Sequence, residues 1–164
     1  MIVVSDASPF IALIGIGQID LLPQLFHTVF VPPAIIVELT RPDRSPAVSA
    51  FIEERPGWLI EQVPARIEAI PKLHSGETEA ISLAREMNAD LLLIDESLGR
   101  RSAIQRKLNI AGTIGVLEMA AKRNLVGLDV AFAKLRETSF WVSAEFLERR
   151  LKEFASAAEG EKGR

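Results

Sequence analysis

The sequence has no cysteine and no tyrosine. Without cysteine there is no disulfide, no thiolate zinc site and no thiol nucleophile, and the composition suits a reducing cytosol. Aromatic residues make up only 6% of the chain, so its core has to be aliphatic, built from Leu, Ile, Val and Ala. Nowhere does an apolar run approach the about 20 residues that a membrane-spanning helix needs. The apolar N-terminus lacks a basic flank and is broken at Asp6, which argues against a secretory signal. The expected location is therefore cytoplasmic, with no membrane partner. A net charge of −3 argues against a generally cationic coat but leaves room for a local phosphate-binding patch.

What is present is globular material. Of 164 residues, 48% are hydrophobic and 25% charged, which supplies a core and excludes wholesale disorder. One domain is expected over residues 1–155, followed by a polar tail, residues 156–164.

Strand and helix signals alternate along the chain. Ile2–Ser5 reads as a short buried strand leading into the helical pattern FIALIGIG. IDLLPQLF reads as a second helix, Val29–Val31 as a strand, and Pro33 as the first position of the next helix, where its missing N–H costs nothing. Ser45–Arg55 follows as an amphipathic helix and Trp58–Val63 as a strand. SGETEAISLAREMN is the clearest helix, with Ser75 as cap and Glu77 and Glu79 in the positively polarised first turn. DLLLID is a fully apolar strand of the kind a parallel sheet buries on both faces. A helix, a strand around Ile110 and another helix come next, then helical patterns over Val130–Arg136 and Ala144–Ala155. Such alternation predicts an α/β domain with a parallel sheet and helices on both faces.

Two acids fall where strands end, Asp6 after IVVS and Asp95 after LLLI. Sites in open α/β sheets form at those carboxyl ends, so neighbouring strands would bring the two carboxylates to one rim. Glu38 and Glu77 lie on helices adjoining that rim. Carboxylates gathered at neutral pH require either a raised pKa or a cation between them. All-oxygen ligands suit Mg²⁺ or Mn²⁺, ions that assist displacement at phosphorus. Each acid also has a plain structural alternative: Asp6 or Asp95-Glu96 as a helix cap, Glu77 as a helix-dipole acid, Glu38 as a solvated helix residue. Gly99-Arg100-Arg101 opens the helix after Asp95 and offers cations for phosphate, with Arg100 alternatively pairing with Glu77 or Asp95. Thr113 is either a helix cap or a further rim residue. His27 and His74 have no spacing that ties them to the acids.

Three segments carry a family resemblance. VVSDASPFIAL, VFVPPAIIVELT and GETEAISLAREMNADLLLIDE resemble the three motif blocks of the PIN domain, the metal-dependent ribonuclease fold that includes VapC-type toxins. GETEAI, LLIDESLGRRSA and AGTIGVLEMAAKRNLV are similar to a PIN-like subgroup catalogued as a domain of unknown function. The likeness runs from residue 1 to about residue 150 and implies a three-layer α/β/α domain with a mainly parallel sheet of about four to five strands. It implies Asp6, Glu38, Glu77 and Asp95 as the acids that hold Mg²⁺ or Mn²⁺ and catalyse RNA phosphodiester hydrolysis. Ser8 would support Asp6, with Glu96, Ser97 and Thr113 in supporting places and Arg100 and Arg101 contacting substrate. It further implies a homodimer and a small antitoxin partner. Many family members carry an Asp where this chain has Ser97, so a degenerate domain that binds RNA or protein without cleaving is the alternative.

Overall fold

The computed structural model describes residues 1–163. Its sheet contains β1 (Val3–Ser5), β2 (Val29–Val31), β3 (Leu59–Glu61), β4 (Leu91–Leu93) and β5 (Ile110–Ala111), all parallel, in the order β3-β2-β1-β4-β5. The helices are α1 (Ala7–Gly15), α2 (Leu21–Phe26), α3 (Pro33–Leu39), α4 (Pro46–Glu54), α5 (Ser75–Glu86), α6 (Ser97–Gln105), α7 (Thr113–Lys122), α8 (Leu128–Arg136) and α9 (Ala144–Lys162). The expected three-layer α/β/α arrangement is present, with five strands and no antiparallel member.

The central strands β1 and β4 are short and almost wholly apolar because both of their faces are covered. Successive side chains of a strand point to opposite faces. Val3 and Leu93 therefore enter the larger core, shared with α1, α2, α4, α7 and α8. Val4, Leu92 and Ile94 enter the smaller one, where Ala80, Ile81, Leu83 and Ala84 of α5 and Ala103 of α6 close the other face. Phe10, Phe51 and Trp58 form one aromatic cluster, with Phe10 stacked on Trp58 and both tilted against Phe51.

Strand order fixes the location of the site. From β1 the chain moves outward to β2 and β3, then returns to place β4 on the other side of β1. The topological switch point thus lies between β1 and β4, where crossovers diverge and leave a crevice at the strands' carboxyl ends. Register brings Ser5 opposite Leu93, and the Asp6 N–H donates to the Leu93 carbonyl at 2.9 Å. Asp6 is held rigidly at that crevice.

Several boundaries differ from expectation. His74, not Ser75, occupies the cap position of α5, and Glu77 reaches back to its N–H at 3.2 Å. α8 begins at Leu128, two residues before the expected start, because Gly127 and Leu128 complete its first turn. α9 continues to Lys162 through the segment expected to be a polar tail. Ala, Glu and Lys are strong helix formers, so an exposed extension needs no burial to keep its conformation.

Candidate active site

Asp6 follows β1 directly and is only 4% exposed. Its Oδ2 accepts from the Ser8 hydroxyl at 3.3 Å. Burial, with the charges of Glu38 and Glu77 adding to it, raises the Asp6 carboxyl from 3.8 to about 7, against opposing backbone amides of Ala7 and Ser8. Glu77, in the first turn of α5, is 7% exposed and is likewise raised, first by burial and then by the neighbouring Glu96 carboxylate. Glu38 comes from α3 and lines the same cleft as Asp6, Ser8, Glu77 and Glu96. Gly76 keeps the cleft open: a Cβ there would stand 2.9 Å from Glu38 Oε2 and 3.6 Å from Asp6 Oδ1.

Asp95 departs from the expected arrangement. Its Oδ1 accepts the Thr113 backbone N–H and its Oδ2 the Thr113 hydroxyl, both at 2.7 Å. The carboxylate therefore ties the start of α7 to the end of β4 and faces a separate groove. Burial raises its pKa, while the Thr113 bonds and the nearby Arg100 guanidinium hold it down. Gly112 is required by this knot, since a Cβ there would come within 2.7 Å of Asp95 Oδ1 and 3.0 Å of Arg100 Nη1. The next residue, Glu96, turns to the cleft. As the cap of α6 it accepts the Leu98 and Gly99 amides at 2.8 and 3.0 Å through one oxygen, Oε2. The acids sharing the cleft are thus Asp6, Glu38, Glu77 and Glu96.

The remaining expected residues divide between the two sides. Ser97 is exposed and lines the Asp95 groove, and Thr113 is fully buried as the first residue of α7. Arg100 lines that groove too, donating from Nη1 to the Ile94 carbonyl at 2.9 Å instead of pairing with Glu77. Arg101 is exposed. Arg106 is bound to Glu68 at 2.8 Å and pins a loop. Two features escaped the sequence reading. Arg44 donates to the Glu38 carbonyl at 3.0 Å and lies 3.4 Å from Glu38 Oε1, and Arg41 lines the cleft mouth. The cluster TRPDR directly after the Glu38 helix was the available signal.

An all-oxygen donor set with a deeply buried, raised carboxyl fits a hard divalent ion, which would relieve the repulsion that raises it. Among the described residues no three His, Asp or Glu side chains are gathered closely enough to hold an ion as they stand.

Residues 2–156 match the PIN domain family DUF3368, and the chain belongs to that family. PIN domains are in general nucleases served by divalent metal ions. Among solved structures, the chain is similar to a PilT N-terminus domain protein from the hyperthermophilic archaeon Sulfolobus solfataricus P2. The match has 17% identity and a TM-score of 0.55, and covers 74% of this chain and 92% of that one. At that identity the likeness shows a shared fold. No curated protein matches the chain.

Proposed function

We propose that this protein is a ribonuclease that hydrolyses RNA phosphodiester bonds with Mg²⁺ or Mn²⁺ held by Asp6, Glu38, Glu77 and Glu96. The observation that carries this reading is the cleft itself. Acids from β1, α3, α5 and the start of α6 line one crevice at the switch point, with the deepest of them raised to about 7. A protein stabilised only for folding gains nothing from burying a carboxylate among other carboxylates.

Each acid is oriented by this chain. Ser8 fixes Asp6, the His74 N–H fixes one oxygen of Glu77, and the first amides of α6 fix Glu96. Glu38 is the adjustable member: its Oε2 already faces the cleft, and a rotation that takes Oε1 off Arg44 frees that guanidinium's Nη2 for a phosphate oxygen. Arg41 lines the mouth as well, paired with Asp43 at 3.0 Å. A divalent ion bound there supplies Lewis-acid polarisation of the phosphodiester and acidifies the attacking water. Asp95 has a different part, as the residue that positions α7 and Arg100.

Family kinship supports the further reading of a toxin restrained by a small antitoxin, acting as a homodimer in the cytoplasm. Among the described residues no helix is long and apolar enough to cross a membrane. A second reading, a domain that binds RNA without cutting it, draws support from Ser97 and from the Arg44–Glu38 pair that occupies one acid. Titrating Mn²⁺ into the protein with labelled RNA separates the two. Cleavage by wild type that disappears in Asp6→Asn and Glu77→Gln supports the nuclease. RNA retained but uncut at every Mn²⁺ concentration supports the binding domain.

A further inference from the structure

Trp141 is 93% exposed, the most exposed large apolar side chain among the described residues. It stands on the short irregular segment between α8 and α9, and that segment is anchored at both ends. Phe140 N–H donates to the Thr138 hydroxyl at 3.2 Å, and the Ser143 hydroxyl caps α9 by accepting the Phe146 N–H at 3.1 Å. The Arg150 guanidinium then clamps α9 to α7 through both oxygens of Glu118, at 2.7 and 2.6 Å. A bare indole is therefore presented on a fixed support.

The acid cleft continues toward it. Ser8 lines the cleft and also a neighbouring hollow formed with Arg44 and Phe140. Phe140 in turn separates that hollow from the groove containing Trp141 and Arg100. Among the described residues Arg100 donates a side-chain hydrogen bond from Nη1 alone, which leaves Nε and Nη2 for a ligand. The cleft and the hollow thus share Ser8, the hollow and the groove share Phe140, and the three together present the acids, Arg44, Arg100 and a free aromatic face. Phe140, Val142 and Phe146 beside the indole are half-buried, so the free apolar surface is one ring wide, small for a protein-docking patch. One aromatic face beside a guanidinium is the arrangement that holds an unpaired base and its phosphate.

We infer that Trp141 is a substrate-positioning residue: it stacks an unpaired nucleobase of RNA whose backbone runs from Arg100 past Ser8 into the acid cleft. This inference rests on the nuclease reading. Its test is the binding of a short, end-labelled unpaired RNA, followed by fluorescence anisotropy in an Asp6→Asn background that prevents cleavage. Trp141→Ala should weaken binding by roughly 5- to 140-fold, the range for loss of one base–aromatic stack. Trp141→Phe should restore most of it, which a merely structural role would not predict. Thermal unfolding should not change, because the side chain is solvated. Equal binding by Trp141→Ala and its parent overturns the inference and leaves the nuclease reading standing. Conversion of a dimer to a monomer by Trp141→Ala, seen by sedimentation, also overturns it by placing the indole between two copies. If wild type with saturating Mn²⁺ neither binds nor cleaves this RNA, the nuclease reading itself falls, and this inference with it.

Discussion

Replacing Asp6 by Asn should stabilise the metal-free protein at neutral pH while removing its metal affinity. The Asp6 carboxyl is raised from 3.8 to about 7, chiefly by burial and further by Glu38 and Glu77. Between those values the folded protein keeps a proton that the unfolded chain has lost. Stability therefore falls as pH rises through this window and levels off above about 7. The gap, at about 1.36 kcal/mol per tenfold change in proton affinity, gives a loss on the order of 4 kcal/mol. Asn fills the same space without a charge, so the variant escapes this loss. Urea unfolding in EDTA should show wild type and Asp6→Asn differing least near pH 4. The variant's advantage should grow to about pH 7 and then level off, and saturating Mn²⁺ should stabilise wild type but not Asp6→Asn. A stability difference between the two proteins that is the same at every pH would refute the buried-charge argument.

Further predictions concern the walls of the site. Gly76→Ala should leave stability within about 1 kcal/mol of wild type, since better helix propensity offsets local crowding. It should nevertheless weaken Mn²⁺ binding by pushing on Glu38, as isothermal titration would show. Thr113→Val removes the hydroxyl that meets buried Asp95 and should cost about 1.5–3 kcal/mol in urea unfolding, whereas Thr113→Ser should cost less. A double-mutant cycle on Glu118 and Arg150 should return a coupling of about 0.5–1 kcal/mol that shrinks in high salt, because the arginine is partly solvated.

Much of this arrangement was legible before any coordinates. Apolar runs of three to five residues, alternating with helical patterns, gave the parallel sheet, and the acids at strand ends marked the crevice. Val29–Val31 and the helix starting at Pro33 fall where proline chemistry and hydrophobic patterning placed them. The choice between Asp95 and Glu96 was not legible. Adjacent residues at the end of a strand point to opposite sides, so a shift of one position exchanges cleft for groove. Only the backbone course after Leu93 decides it, and Thr113, a residue on a different crossover, then takes both Asp95 oxygens. Arg44 escaped notice for a related reason, since its pairing with Glu38 depends on how the loop Arg41–Ser45 folds back over α3. Trp141 carries no signal in the sequence, and its exposure is set by its place on the irregular segment between α8 and α9.

Direct binding of Mn²⁺ to the metal-free protein, followed by electron paramagnetic resonance, tests the central claim most directly. Wild type should bind the ion at pH 7.5, with affinity lost in Asp6→Asn and Glu77→Gln, weakened in Glu96→Gln and retained in Asp95→Asn. No binding by wild type, or a loss confined to Asp95→Asn, would contradict the account.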